Sequence, residues 1–297
     1  MKTLEQLQRD MDTTASLQEI VRTMKVLAAV SIRQYERAQE SLLHYNRTVE
    51  LGLQVVLKQQ AAITMAKVRK KVQPVVGAII FGSDHGLCGR YNESIAEFAM
   101  LELEKINPNQ DSRRILVVGA RIEAFLHEMD QAVEECFFVP GTVDNITGTV
   151  QNILQKIDLW QLEGIEQVML FHHVRQQRSS YPPQARQLLP VDLSSFNHKR
   201  VKRWPSHSLP QFTLPVEELL SALIQELLFI RLFSACTESL AGEHASRLMS
   251  MQVAEKNIQQ RLESLTATYR QQRQNQITEE LLDVVSGFEA LHGKQRN

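Results

Sequence analysis

Residues 216–240 read VEELLSALIQELLFIRLFSACTESL and contain neither proline nor glycine. Their apolar side chains recur in steps of three and four, the spacing that places them on one face of an α-helix. The same stripe continues to Leu291. Its members are Val216, Leu220, Leu223, Leu227, Ile230, Phe233, Leu240, Leu248, Met251, Ile258, Leu262, Leu265, Tyr269, Ile277, Leu281, Val284, Phe288 and Leu291. An uncapped period well beyond about 25 residues is typical of a coiled coil.

Residues 1–73 carry a second stripe of the same period. Its members are Leu4, Leu7, Met11, Ala15, Leu17, Val21, Met24, Ala28, Ile32, Tyr35, Ala38, Leu42, Tyr45, Val49, Gly52, Val56, Ile63 and Ala66. All nine prolines of the chain lie between Pro74 and Pro215, so both terminal segments are permissive for long helices. Helices of this length are not stable alone in water, and each stripe therefore needs a partner.

Charge indicates which partner each terminal segment has. Residues 1–73 hold twelve Lys and Arg against seven Asp and Glu, whereas residues 216–297 hold eight against eleven. Opposite net charges favour pairing of the two ends, and an antiparallel hairpin is the simple topology for segments that flank one globular region. The alternative, in which each helix pairs with a second copy of itself, stays open.

The middle region, residues 74–215, alternates apolar runs with amphipathic stretches. The predicted strands are Val75–Phe81, Ile115–Val118, Cys136–Val139 and Gln167–His172. This spacing indicates βαβ units around a largely parallel sheet. We interpret Arg175–Pro215, which holds six of the nine prolines, as an irregular return to the last helix. The prediction is thus an α/β, Rossmann-like domain flanked by antiparallel terminal helices, with divisions at 1–73, 74–215 and 216–297.

Composition excludes several classes of protein. The chain has 297 residues, 43% of them hydrophobic, and a formal net charge of -1, which does not favour a nucleic-acid partner. No window of eighteen residues is apolar and free of charge, so we expect no membrane-spanning helix. The first residues lack a secretory signal, and the three cysteines are too few and too far apart for a disulfide framework or a zinc site.

The stretch Gly82–Asn92, GSDHGLCGRYN, follows the first predicted strand and precedes a helix, where backbone N–H groups commonly bind phosphate. It matches neither the P-loop nor the dinucleotide fingerprint. We therefore interpret it as a structural turn, whose candidate residues are Ser83, Asp84, Gly86, Cys88 and Gly89. Cys88 has no identifiable base in sequence, and His172 and His173, as neighbours on a strand, face opposite sides and cannot share a metal.

Seven polar residues, Arg270–Gln276, interrupt the last stripe immediately before Ile277. One interpretation is a solvated helix face. The other is a helix tip surrounded by another protein, with amides and Arg273 hydrogen-bonded to that partner.

Motifs spread along the chain resemble the gamma subunit of F-type ATP synthases. They are Glu19–Ala29 (EIVRTMKVLAA), Ser83–Gly89 (SDHGLCG), Gln187–Pro190 (QLLP), Glu243–Met251 (EHASRLMSM), Tyr269, Arg273–Leu281 (RQNQITEEL) and Val284–Gly287 (VVSG). They occur in family order over nearly the whole length. Two features depart from the family: Phe288 stands where a small residue is usual, and the middle region is only loosely similar. This divergence suggests a branch of alternative F-type ATPases.

The resemblance implies a central rotor shaft without an active site or a cofactor. The two terminal helices would form the shaft inside a ring of alpha and beta subunits, and the α/β domain would lie beside the epsilon subunit and the membrane c-ring. Catalysis would belong to the beta subunits. The complex would sit at the cytoplasmic face of a bacterial plasma membrane.

The resemblance also implies residues that contact a beta subunit. Arg22, Met24 and Lys25 match the part of the first helix that faces an acidic loop. A second set of four residues matches the top of the shaft, and it consists of Arg273, Gln274, Thr278 and Glu280. For Met24 the alternative is packing within the stripe, and for Arg22 and Lys25 it is a solvated face.

Two other functions remain alternatives at this point. A nucleotide-binding α/β enzyme with coiled-coil arms would need a phosphate fingerprint, which the sequence lacks. A coiled-coil scaffold would form homodimers rather than a complex with a ring of subunits.

Overall fold

The computed structural model describes residues 3–59, 75–176, 181–193, 196 and 210–293. Helix α1 spans Leu4–Gln59 and the last helix, α5, spans Val216–Gly293. Between them lie, in chain order, β1 (Val76–Phe81), α2 (Tyr91–Ile106), a short 3-10 helix (Gln110–Ser112), β2 (Arg113–Val118), α3 (Ala120–Glu128), β3 (Glu135–Phe137), α4 (Val143–Leu162), β4 (Gln167–His173) and β5 (Pro183–Leu189). The predicted fold class is confirmed. Ile63 and Ala66 of the first stripe lie outside the described residues.

The five strands form one sheet in the order β3-β2-β1-β4-β5. Strands β1 to β4 are parallel to one another, as predicted, and β5 pairs antiparallel with β4. The interpretation of Arg175–Pro215 as irregular was therefore wrong for β5. This strand lies at the sheet edge with Pro183 as its first residue, where a missing N–H donor costs no ladder hydrogen bond.

The sheet is covered on both faces because its side chains alternate. On β1, Val76, Ala78 and Ile80 pack in a core with residues of α2 and α3. Ile79 and Phe81 point to the opposite face and belong to a second core, which includes residues of α4 and α5. The central strands are thus buried on both sides, as a parallel sheet between helical layers requires.

The chain divides into two compact units, Ala28–Arg247 and Met1–Leu27 with Leu248–Asn297. In the first unit, Val49, Leu53 and Leu57 of α1 form a core with Leu227 and Ile230 of α5. Here Gln39 donates a hydrogen bond to Glu238, and Tyr45 donates one to Glu226. The residue numbers of the α5 partners therefore fall as those of α1 rise, as in an antiparallel pair. The predicted antiparallel pairing of the two helices is confirmed in this unit.

In the second unit the two helices also run antiparallel. Gln18 Nε2 donates to Gln259 Oε1 at 2.9 Å. About two helical turns further along α1, Lys25 Nζ donates to Glu255 Oε2, so the partner number again falls. Asp10 and Met24 are half-buried here, and the other side chains of α1 that are at least half-buried in this unit repeat every seven residues, in two series. These are Leu4, Met11, Gln18 and Lys25, and Leu7, Thr14 and Val21. This is the heptad seam of a coiled coil.

The observed seam differs from the predicted stripes in both helices. Ala15 and Leu17 are exposed, because the heptad register gives their places to the polar Thr14 and Gln18. In α5, residues 273–287 are exposed throughout, so Ile277, Leu281 and Val284 are not packed against their own chain as the stripe predicted.

One window in Val216–Gly287 is long and apolar enough, by length and composition, to cross a membrane. A helix buried in a protein core passes the same test. Within this helix Leu227, Leu228, Ile230 and Leu232 are all buried against the rest of the first unit.

Candidate functional site

The loop that follows β1 joins the carboxyl ends of three strands. Asp84 accepts hydrogen bonds from two backbone N–H groups, Ala120 to Oδ1 and Val139 to Oδ2, both at 2.9 Å. Ala120 is the first residue of α3, so the carboxylate also lies at the positive end of that helix. Asp84 thus fixes the segments that follow β2 and β3.

Ser83 and Asn92 close the loop on itself. Asn92 accepts from the Ser83 N–H at 2.9 Å and donates to Ser83 Oγ at 2.7 Å. Gly119 completes this junction, a residue that sequence reasoning missed. A Cβ at Gly119 would lie 2.7 Å from the carbonyl oxygen of Ser83, and its φ of +124° favours glycine in any case.

The remaining predicted loop residues shape the turn. Gly89 has a φ of +60°, which glycine adopts without strain, and Leu87 adopts 64° although it has a side chain. The Cys88 side chain is buried, and burial raises the pKa of its thiol. The thiolate that a nucleophile needs is therefore disfavoured here.

The loop is bound directly to α5. Ser246 Oγ donates to the Cys88 carbonyl at 2.6 Å, and Arg247 Nη2 donates to the carbonyls of His85 and Gly86 at 3.5 and 3.4 Å. Arg247 is itself held by Glu243 at 2.6 Å, and both side chains are buried. Two motifs far apart in sequence, Ser83–Gly89 and Glu243–Met251, therefore meet through residues of one compact unit.

His172 and His173 face opposite sides of β4, as the sequence predicted. His172 Nε2 lies 3.0 Å from Glu238 Oε2 of α5, and Glu238 Oε1 accepts from Gln39 of α1 at 2.5 Å. His173 stacks on Tyr91 of α2 with ring centroids 4.1 Å apart. Burial, followed by the neighbouring His172, lowers the pKa of His173 to about 3, so it is neutral at physiological pH.

The first set of predicted contact residues lies in the second unit and has partners within its own chain. Arg22 Nε is 3.2 Å from Glu255 Oε1, and Lys25 Nζ is 2.5 Å from Glu255 Oε2. Met24 is half-buried. Glu255 was not predicted. A carboxylate on the opposite helix could have been suspected from the excess of Lys and Arg in the first segment.

The second set is on the exposed end of α5 in the same unit. Arg273, Gln274, Thr278 and Glu280 are all exposed. Two hydrogen bonds of this set are local to the helix: Thr278 Oγ1 donates to the Gln274 carbonyl at 2.9 Å, and Gln276 Nε2 donates to Glu280 Oε1 at 3.1 Å. The structure thus brings the four side chains onto one bare helical segment.

The hydrogen bonds of Ser246 and Arg247 join the loop after β1 to α5. Within the described residues, no group of three or more His, Cys, Asp and Glu is arranged to hold a metal ion. The buried polar groups at the loop are bonded to backbone and helix, which makes the loop and α5 one rigid assembly. This arrangement can transmit a displacement between the carboxyl ends of the strands and α5.

Comparison with known proteins identifies the family. The family model for ATP synthase matches residues 3–291. The ATP synthase gamma chain of Bdellovibrio bacteriovorus is 26% identical over 99% of this chain and 100% of its own length, and that of Pelagibacter ubique is 26% identical over 98% and 100%.

Solved structures show the same fold. The Euglena gracilis mitochondrial ATP synthase, in its OSCP, F1 and c-ring assembly, contains a chain that is 14% identical and covers 99% of this chain and 96% of its own, with a TM-score of 0.64. A chain of the central stalk and c-ring of the Tetrahymena thermophila mitochondrial ATP synthase is 18% identical and covers 79% and 99%, with a TM-score of 0.55. The chain therefore belongs to the ATP synthase family, as one of its gamma chains.

Proposed function

We propose that this gamma chain is the central rotor shaft of an F-type ATP synthase, which couples rotation driven by an ion gradient to ATP chemistry in other subunits. The observation that carries the proposal is the bare end of α5. Residues 273–287 are exposed without exception, and they include Ile277, Leu281, Leu282, Val284 and Val285. A helix end of this composition is expected to be covered by a partner.

The partner of that helix end is a ring of alpha and beta subunits, and catalysis takes place in the beta subunits. A shaft can shift a catalytic subunit between conformations only if its contacts differ between those conformations. The two helices of the pair present different side chains around the shaft, so each rotation angle offers a different surface to a given beta subunit.

Stiffness between the α/β region and α5 is the second requirement. One proton that crosses 100 mV supplies about 2.3 kcal/mol, so the work of several ions must be added together for each ATP. The hydrogen bonds from Ser246 and Arg247 to the loop after β1 support this role, because they join α5 to the carboxyl end of β1 through partly buried donors and carbonyls.

The α/β region binds the epsilon subunit and the membrane c-ring in this proposal. The complex lies at the cytoplasmic face of a bacterial plasma membrane, and the coupling ion is a proton or a sodium ion. The gamma chain itself is peripheral and holds no cofactor.

Two regions contact the beta subunits. Arg22, Met24 and Lys25 face an acidic loop, and a second group engages another loop at the top of the shaft. That second group consists of Arg273, Gln274, Thr278 and Glu280. The exposure of the second group and the cationic character of the first support this assignment.

Co-expression with the cognate alpha and beta subunits tests the proposal. Native mass spectrometry should show one copy of this chain with three of each ring subunit. A bead fixed to an engineered cysteine on the exposed side of α2 should rotate when ATP is added. A stable homodimer that excludes the ring subunits would contradict the proposal.

Nucleotide titration of the isolated chain is a second, independent check. The loop after β1 lacks a phosphate fingerprint, and the backbone N–H of Ser83 in this loop already donates to Asn92 Oδ1. Calorimetry should therefore give no saturable heat with ATP or ADP. ATP turnover that co-elutes with the pure chain through two columns would favour the enzyme hypothesis instead.

A further inference from the structure

One carboxylate in the second unit binds two cations of the opposite helix. Glu255 of α5 uses Oε2 for Lys25 Nζ at 2.5 Å and Oε1 for Arg22 Nε at 3.2 Å. Hydrogen bonds from Lys25 first, and then from Arg22, lower the pKa of Glu255, so the carboxylate is ionised at neutral pH. The three side chains therefore form a cluster with one net positive charge.

The two cations of this cluster differ in what they leave available. The Lys25 side chain is 32% exposed and that of Arg22 is 59% exposed. Arg22 is held by Nε, and no contact with a described residue occupies its two terminal nitrogens. A guanidinium whose Nε is fixed presents those two nitrogens as a planar fork, which matches a carboxylate in two parallel hydrogen bonds.

We propose that Arg22 is the residue of this cluster that contacts the partner subunit, that its partner group is a carboxylate, and that Glu255 and Lys25 are positioning residues that hold the guanidinium fork outward. The inference rests on the proposed function and refines it, since Arg22 and Lys25 are no longer equivalent contacts. The partner group is a carboxylate because the cluster carries one net positive charge and the guanidinium fork fits the two oxygens of an Asp or Glu side chain.

Positioning has a physical consequence that simple attraction lacks. A free Arg side chain loses rotamer freedom when it binds, and that loss weakens the complex. Glu255 has already restricted Arg22 in the unbound chain, so less freedom is lost on assembly. Glu255 must therefore strengthen binding although its own charge repels the partner's carboxylate.

A double-mutant cycle on the assembled complex tests the inference. The variants are Arg22→Gln, Glu255→Gln and the two combined, and the measurement is the dissociation rate of the chain from the ring at low and high salt. We expect each single change to speed dissociation roughly three- to tenfold at low salt. The combined variant should be no worse than Arg22→Gln alone, because Glu255 acts through Arg22.

Two further variants separate positioning from charge. Arg22→Lys keeps the charge but removes the fork, and it should behave like Arg22→Gln. Glu263→Gln is the control. Glu263 lies on the same helix as Glu255 but bonds to Gln259 and not to a cation, so this variant should dissociate from the ring at the wild-type rate. Circular dichroism of each isolated variant shows whether the helices remain intact.

Several outcomes would overturn the inference. Faster dissociation of Glu255→Gln that adds fully to that of Arg22→Gln would show independent contacts. Slower dissociation of Glu255→Gln would show that the carboxylate only repels the partner. Wild-type rates in Arg22→Gln would remove Arg22 from the interface. In each of these cases the wild-type complex still forms, whereas failure of the wild-type chain to join the ring would reject the proposed function itself.

Discussion

The two regions assigned to the beta subunits differ in how far their own chain organises them. Around Arg22 and Lys25, helix α5 supplies Glu255 as a common partner. Around Arg273 and Glu280 the same helix is alone, and every residue from 273 to 287 is exposed. A family motif therefore does not by itself reveal whether its residues are already positioned before the partner arrives.

The largest expected difference concerns one charged substitution made in each region. Leu265→Asp places a carboxylate in the buried seam, where Leu265 is 5% exposed, and should lower the free energy of unfolding by about 3 kcal/mol. Leu281→Asp acts on a residue that is 60% exposed and should change stability by less than about 0.5 kcal/mol. Urea unfolding followed by circular dichroism measures both.

Leu281→Asp, the more stable of the two variants, should show the larger direct loss of affinity for the ring. Leu281→Asp should join the ring poorly, since it puts charge on the apolar surface that the partner covers. Equal stability losses in Leu265→Asp and Leu281→Asp would show that the bare end of α5 is packed in solution, and the comparison between the two regions would fail.

A smaller effect is expected from Arg273→Ala combined with Glu280→Ala. The two residues lie seven positions apart on one helix face, so they can address the same partner surface. A single charge-assisted contact between this face and a beta subunit contributes roughly 1.5 to 3 kcal/mol. The double variant should fold like the wild type but assemble weakly or hydrolyse ATP slowly in the complex. Gln271→Ala with Asn275→Ala, neutral changes at exposed positions of the same helix end, is the matched control.

Loss of helicity in the isolated Arg273→Ala, Glu280→Ala chain would contradict this prediction, because it would make the two side chains structural. Wild-type assembly together with wild-type hydrolysis would remove them from the interface.

The smallest effect is a pH dependence confined to the clustered region. The pKa of Glu255 is lowered in the folded chain, so its contribution to stability is present above the unfolded pKa and is lost as pH falls through the folded value. The melting temperature of the wild type should exceed that of Glu255→Gln slightly at pH 6, and the difference should shrink as the solution is acidified below pH 4.5, the usual pKa of a Glu carboxyl group. Glu280→Gln should match the wild type throughout. A difference that grows on acidification would have the wrong sign for this cluster.

Several features could be predicted from the sequence because they depend on local chemistry. Proline placement and apolar periodicity located both long helices, and short apolar runs located β1 to β4 to within two residues at either end. Adjacent positions on a strand alternate faces, which was sufficient to place His172 and His173 on opposite sides of β4.

Tertiary structure decided what depends on partners distant in sequence. Strand β5 exists because β4 offers a free edge, and its own residues are too polar for a strong strand signal. Thr14 and Gln18 lie in the seam because two helices fix a common heptad register, whereas apolar counting preferred Ala15 and Leu17. Ile277 and Leu281 continue the apolar period but are 48% and 60% exposed, so the described part of the chain does not bury them. A stripe specifies which side chains need covering, and only the arrangement of both helices determines which of them the chain covers itself.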